Sequence, residues 1–102
     1  MFLIFQILYL FLIYFNADSN FVLGNAQVPT HSHPIVYCSD GFLELTGWSR
    51  AQIMQKSCAC KFLWGADTNE EHREAIENAL TDKQELKIEV IFYKKNGQNI
   101  YI

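Results

Sequence analysis

Residues 68–97, TNEEHREAIENALTDKQELKIEVIFYKKNG, pass from a helical periodicity to a strand periodicity and end in a turn signal. In the first half, apolar residues recur every three or four positions, which is typical of a helix with one buried face. That face is formed by Ala75, Ile76, Ala79 and Leu80. Thr68 and Glu71 have the spacing of a capping box. The first half therefore predicts an amphipathic α-helix that begins after Thr68.

The second half alternates between apolar and charged residues. Its apolar set is Leu86, Ile88, Val90 and Phe92. Strict alternation predicts a β-strand with one buried face. Asn96 and Gly97 form the dipeptide that most strongly favours a short hairpin turn, and residues 99–102, NIYI, begin a return strand. Residues 85–102 are therefore predicted to form an antiparallel hairpin.

Upstream, two short apolar runs bounded by turn residues predict two further strands. They are NFVLGNAQV at residues 20–28 and HPIVYCSD at residues 33–40. Asp40 is placed to cap a short helix that Gly47 can end in the left-handed conformation. A second capping box, Ser49 with Gln52, predicts another short helix.

The predicted order is strand, strand, short helices, strand, turn and strand. Strands on both sides of a helical middle indicate an α+β fold with an antiparallel sheet. An unpaired sheet edge is a liability for a protein. We therefore expect the sheet to be truncated before its last strand or strands.

The first 15 residues, MFLIFQILYLFLIYF, are apolar except for Gln6, and the first charged side chain is Asp18. The run is shorter than the roughly 20 residues of a membrane span, and no basic residue precedes it as in a signal peptide. It has neither a helical stripe nor strand alternation. Three interpretations stay open: a signal or membrane segment, a buried or interfacial helix, and an atypical or misassigned start.

Composition excludes some classes of function. Half of the 102 residues are hydrophobic, which is enough for the core of one small domain. The net charge is −3 and there is no basic block, so nucleic-acid binding has little electrostatic support. Three cysteines are an odd number, which favours a reduced thiol environment over a disulfide framework.

Three stretches together carry a resemblance to a known family. They are NFVLGNAQV, PIVYCSDGFLELTGWSRAQIMQKSCACKFLWGADT and IEVIFYKKNG. The chain resembles a PAS domain, and more closely the N-terminal PAS domain of ether-à-go-go-type voltage-gated potassium channels, with VLGNAQV and SCACKFLWG most similar to the Elk branch. The family fold is a five-stranded antiparallel sheet with helices on one face. The resemblance divides the chain into an apolar segment at residues 1–17 and an incomplete PAS domain at residues 18–102.

The resemblance implies a noncatalytic role. In the family, this domain docks on the cyclic-nucleotide-binding homology region and on the voltage-sensor linker of a tetrameric membrane channel, at the cytoplasmic face of the plasma membrane, and so modulates gating. The family docks through an apolar patch on the sheet. The candidate docking residues are Phe21, Tyr37, Phe42, Leu86, Ile88 and Phe92. The alternative is that most of these side chains pack beneath the helices.

SCACKFLWG also resembles the segment of LOV domains, the flavin-binding branch of the PAS family, that holds the photoactive cysteine, and Cys60 aligns with it. A flavin needs amide side chains for the polar edge of its ring and arginine near its phosphate. The positions that would carry these groups hold Ala59, Lys61, Trp64, Phe92 and Ile102. An unpaired polar group at the ring edge costs about 1–3 kcal/mol. We therefore expect Cys60 to be a small buried hydrophobe and no cofactor to be bound, with a flavin or small-ligand sensor as the alternative function.

Metal and enzyme sites have weak support. Cys58 with Cys60 and His31 with His33 supply four possible zinc ligands, but neither spacing is usual for zinc. The glycines form no phosphate-binding loop, and the glutamates of the predicted helix lie on a solvent-facing side. The sequence therefore predicts neither a metal site nor an enzyme.

Overall fold

The computed structural model describes residues 1–7, 9–15, 20–27 and 33–102. The strands of this part are β1 (Phe2–Ile7), β2 (Leu10–Tyr14), β3 (Phe21–Asn25), β4 (Ile35–Cys38), β5 (Leu86–Ile88), β6 (Ile91–Tyr93) and β7 (Asn99–Tyr101). The helices are α1 (Asp40–Thr46), α2 (Arg50–Ile53) and α3 (Glu70–Asp82), with a 3₁₀ turn at Lys61–Leu63. No helix within these residues is long and apolar enough to cross a membrane.

Five of the strands form one antiparallel sheet in the order β4-β3-β2-β1-β5, and β6 pairs with β7 in a separate hairpin. The short helices connect β4 to β5 along the chain. The predicted α+β class, with an antiparallel sheet and short helices, is thereby confirmed. Strands β3 and β4 also lie where the two upstream apolar runs predicted them, although Val28 at the end of the first run lies outside the described residues.

The apolar start of the chain forms β1 and β2, the hairpin at the centre of the sheet, and not a helix. On one side of this hairpin Phe2, Ile4, Phe11 and Ile13 are fully buried, while the side chains on the other side are apolar and mostly half-buried. A strand that is apolar on both faces reads as a continuous hydrophobic run. The missing alternation in the sequence is therefore the signature of a central strand.

The short helices follow the predicted caps with one shift. The side chain of Ser39, and not that of Asp40, accepts the hydrogen bond that caps α1. Gly47 ends α1 with φ of 79°, in the left-handed region as predicted. Ser49 and Gln52 form the predicted capping box at α2, with both of its hydrogen bonds present.

Helix α3 is capped by Asn69 and not by Thr68. The Asn69 side chain accepts a hydrogen bond from the backbone N–H of Glu71 at 2.7 Å. The Thr68 hydroxyl instead donates to the carbonyl of Ile91 at 2.7 Å and so ties the start of the helix to β6. A tertiary contact thus takes the residue that the local pattern assigned to the cap. The buried stripe of α3 agrees with the prediction at Ile76, Ala79 and Leu80, while Ala75 is half-buried.

The predicted strand at residues 85–93 is interrupted between β5 and β6, where its partner changes. Ile88 lies opposite Phe2 of β1. Two residues further on, Val90 exchanges both backbone hydrogen bonds with Ile102, at 2.7 and 2.9 Å. The inward face still consists of the predicted residues, because Val90 and Phe92 are buried and Leu86 and Ile88 are half-buried against the core.

Four phenylalanines from distant parts of the chain meet in the core. Phe15 lies 5.2 Å from Phe2, 4.6 Å from Phe42 and 5.8 Å from Phe92, measured between ring centroids. All four rings are fully buried. Tilted and edge-on aromatic pairs at these distances are favourable beyond the burial of their area. This phenylalanine cluster joins the N-terminal hairpin to α1 and β6.

Candidate docking surface

The sheet has a second face, which points away from the phenylalanine cluster. Because side chains alternate along a strand, the residues between the buried positions of β1 to β4 share this outer face. The central part of this face consists of Leu3, Phe5, Leu12, Tyr14, Phe21, Leu23 and Tyr37. None of these seven described residues belongs to the hydrophobic core. We call this set the outer face.

Strand pairing makes the outer face continuous. Leu12 lies directly opposite Phe5 on one side and Leu23 on the other, and Leu23 lies opposite Tyr37. The neighbouring row is aromatic, since the ring of Tyr14 lies 6.0 Å from the rings of both Phe5 and Phe21. Phe21 in turn lies 5.8 Å from Tyr37. Rings from four adjacent strands therefore form one band across the sheet.

Charged residues bound this band at β5. Lys87 lies opposite Leu3, and Glu85 and Glu89 are exposed at the neighbouring alternate positions. Protein interfaces combine an apolar centre with a polar rim. The outer face has this composition, and its aromatic residues are the types most often found to dominate binding energy.

The structure separates the six predicted docking residues into three groups. Phe21 and Tyr37 lie on the outer face, where Tyr37 is 48% exposed. Phe42 and Phe92 are fully buried in the phenylalanine cluster. Leu86 and Ile88 are half-buried and pack against the core. The outer face thus brings together two of the six.

Sequence reasoning missed Phe5, Leu12 and Tyr14. They belong to the apolar start of the chain, which was set apart from the domain. The sequence did contain a signal, because an apolar run without helical or strand periodicity is what a strand with two apolar faces produces. That signal does not say which sheet the strand enters, so the outer face required the structure.

The segment around Cys60 is built for packing. Cys60 is fully buried and has φ of 57° at the start of the 3₁₀ turn. Burial raises its pKa well above the usual value, and burial raises the pKa of Cys58 to about 12. Thiols with such pKa values stay protonated at neutral pH and are poor nucleophiles and metal ligands.

Gly24 shows how closely β3 approaches this segment. A Cβ atom added to Gly24 would overlap Sγ of Cys58, so any larger residue at this position requires the Cys58 side chain to move. The backbone N–H of Cys58 also donates to the carbonyl of His33 at 3.0 Å. The cysteine segment is therefore fixed between β3 and the start of β4.

The residues at the flavin-contact positions do not fit a flavin. Ala59, Phe92 and Ile102 are buried and offer no side-chain hydrogen bond. Lys61 is exposed and forms an ion pair with Glu77 at 2.6 Å. The phenylalanine cluster also occupies the interior beside Phe92. A ring edge placed against these residues would lose its hydrogen bonds, at about 1–3 kcal/mol per group.

Trp64, at another of these positions, packs against cations. Its ring lies 5.5 Å from the guanidinium carbon of Arg73 and 5.9 Å from Nζ of Lys61. Stacking of this kind contributes about 0.5–1 kcal/mol at exposed sites. The side chain thus contributes to the packing of α3 on the 3₁₀ turn.

Histidine and cysteine side chains do not converge within the described residues. No group of three or more metal-ligating side chains is present there. His31, one member of the proposed histidine pair, lies outside the described residues.

The profile of the family described as a PAS domain, PAS_9, matches residues 21–102. The chain belongs to the PAS domain family. Over 79 residues it is 60% identical to the human voltage-gated delayed rectifier potassium channel KCNH8, an alignment that covers 78% of this chain and 7% of that channel. The chain therefore spans a small fraction of the length of this relative.

Two solved structures are similar in fold. The PAS domain of the fruit-fly ELK potassium channel matches with a TM-score of 0.77 and 65% identity, over 81% of this chain and 66% of that one. The LOV domain of the blue-light photoreceptor Aureochrome1, in its light state, matches with a TM-score of 0.73 and 36% identity, over 83% of this chain and 63% of that one. The sequence resemblance to PAS domains of ether-à-go-go-type channels is thereby confirmed.

Proposed function

We propose that the chain is a noncatalytic regulatory PAS module of a voltage-gated potassium channel subunit. In this proposal it lies at the cytoplasmic face of the plasma membrane and docks on the cytoplasmic parts of a tetrameric channel. The partner regions are the cyclic-nucleotide-binding homology domain and the voltage-sensor linker. High identity to channel PAS domains supports the class of protein, and the outer face is the observation that carries the docking role.

The outer face supports docking because its apolar rings lie outside the core. A contiguous apolar band of this kind is uncommon on a monomer and marks an interaction surface. A partner that covers it gains about 25 cal/mol for each Å² of apolar area removed from water. The charged rim at Lys87 favours a partner with a defined orientation, since charges at the edge of an interface fix its register.

Docking regulates gating by differential affinity. A module that contacts one gating state better than another shifts the equilibrium towards that state. A coupling free energy of about 1–3 kcal/mol changes the equilibrium by roughly 5- to 150-fold. Truncation of an aromatic residue that is a hot spot of an interface costs about 2 kcal/mol or more. A single outer-face substitution is therefore expected to produce a measurable change in gating.

The test uses a chimera in which residues 1–102, which include all seven outer-face residues, replace the N-terminal PAS region of the human channel KCNH8. We expect Tyr37→Ala to change the deactivation time constant several-fold. Tyr101→Ala is the matched control, because Tyr101 is 76% exposed and does not belong to the outer face. Unchanged deactivation in the Tyr37→Ala chimera, with surface expression and folding intact, would refute docking through this face.

A further inference from the structure

The N-terminal hairpin lies outside the family match and yet at the centre of the sheet. The match begins at residue 21, whereas β1 and β2 end at Tyr14. In the sheet, however, both strands lie between β3 and β5. Without the hairpin, the part that matches the family would have two unpaired strand edges, one on β3 and one on β5. The gap between these edges is two strands wide.

The hairpin satisfies the backbone of both edges. It forms five residue pairs with β3 and three with β5. Hydrogen bonds extend the pairing with β3 at both ends, since Phe15 donates to the carbonyl of Asn20 and Ala26 donates to the carbonyl of Tyr9, each at 2.8 Å. Unpaired backbone groups at a buried edge are costly, so these edges need an occupant.

The hairpin also completes the core. Five of its side chains are fully buried: Phe2, Ile4, Phe11, Ile13 and Phe15. Phe15 contacts both Phe42 and Phe92, which belong to the matched part. The apolar surface of the matched part is therefore covered from one side by the hairpin.

We propose that the space between β3 and β5 is a strand-acceptor groove for an apolar β-hairpin, and that the hairpin of β1 and β2 from the same chain is its occupant. In this role the N-terminal segment is a strand donor. The proposal concerns the assembly of the sheet and does not depend on docking to a channel.

The ends of the groove show that the occupant fits in register. Strand β5 pairs with β1 from Leu86 to Ile88. Val90 then pairs with Ile102, and β6 pairs with β7. Met1, Val90 and Ile102 line one cavity, so β1 begins close to where β7 stops. The groove is thus filled along β5 without a shift in register relative to the hairpin of β6 and β7.

The test is disulfide trapping in the full chain. Leu12 and Leu23 lie directly opposite on adjacent strands of the outer face. Adjacent strands are about 4.8 Å apart, and a disulfide requires Cα atoms closer than about 7 Å. We expect the variant carrying Leu12→Cys and Leu23→Cys to form an intramolecular disulfide in nearly all molecules under mild oxidation.

A matched control uses the same acceptor position. Phe5 lies opposite Leu12 on its other side, so the variant carrying Phe5→Cys and Leu23→Cys places the two thiols two strand spacings apart. We expect no disulfide from this pair. The native Cys38, Cys58 and Cys60 are buried in the described structure and present in both variants. Intact mass and non-reducing gels report the outcome.

Three results would overturn the proposal. A folded Leu12→Cys, Leu23→Cys protein without the disulfide would place the segment elsewhere. Equal yields in both variants would mean that the segment has no fixed register. A disulfide-linked dimer would assign the groove to the segment of a second copy.

Hydrogen exchange of the unmodified chain covers the case in which the variants do not fold. Amides of β2 lie at the centre of the sheet and should exchange as slowly as those of β3, at least 100-fold slower than unstructured amides. Complete exchange of residues 10–14 within the first seconds would refute the proposal. Neither readout involves channel current, so the failure of this proposal is distinguishable from failure of the docking function.

Discussion

Replacement of Phe15 by alanine removes the ring that connects the other three phenylalanines of the core. Phe15 is fully buried, and its ring centroid lies within 6 Å of those of Phe2, Phe42 and Phe92. Truncation of a buried phenylalanine costs about 3–5 kcal/mol, through lost burial and the cavity that remains. A domain of this size is stable by about 5–15 kcal/mol in total. We therefore expect Phe15→Ala to lower the melting temperature by about 12 °C or more.

The matched control is Phe5→Ala, the same substitution in the same hairpin but on the outer face. Phe5 is half-buried and lies outside the core, so we expect a cost of about 1 kcal/mol or less. Urea unfolding followed by the fluorescence of Trp48 and Trp64 measures both variants, with the slope m checked for constancy. A cost below about 1 kcal/mol for Phe15→Ala, or equal costs for the two variants, would show that the N-terminal hairpin is not part of the core.

Three further predictions concern β3 and the cysteine segment. Gly24→Ala should destabilise the domain by about 1–3 kcal/mol, because the new Cβ meets Sγ of Cys58. In urea unfolding this cost should be smaller in a Cys58→Ala background, and equal costs in the two backgrounds would contradict the assigned contact. Burial raises the pKa of Cys58 from 9.0 to about 12, so the unfolded chain loses this proton at a lower pH than the folded chain does. The free energy of unfolding should therefore fall as pH rises from about 9 to 12, and it should fall less steeply in Cys58→Ala. A pH-independent stability over this range would argue against a buried thiol. Purified chain mixed with flavin mononucleotide should elute colourless from gel filtration, and a yellow protein whose absorbance responds to blue light would instead support the sensor function.

Local patterns in the sequence predicted those elements whose partners are near in the chain. Helix α3 was predicted because its stripe at Ile76, Ala79 and Leu80 and its acidic first turn are properties of the helix itself. The caps were less accurate, since Thr68 and Asn69 are both good capping residues and only the bond from Thr68 to Ile91 decides between them. Competition between neighbouring caps is settled by tertiary contacts.

Long-range pairing accounts for what the sequence did not show. The alternation at residues 85–93 predicted one strand, but the strand partner changes between Ile88 and Val90. One of the two partners, β1, lies more than 80 residues away along the chain. Alternation also identified Phe92 as a member of one face without saying whether that face is inside or outside. For the candidate docking residues this ambiguity was decisive, because Phe92 is buried and Tyr37 is exposed.

Met1 and Ile102 line one cavity, so the residue before β1 and the residue after β7 lie close together in the fold. A circular permutant follows from it: residues 20–102 first, a short glycine linker, and then residues 1–15. In this arrangement β7 leads directly into β1, and β2 becomes the last strand, with the same neighbours on both sides. The sheet would keep every pairing while the peptide chain enters it at β3, and the apolar start would become an ordinary pair of C-terminal strands.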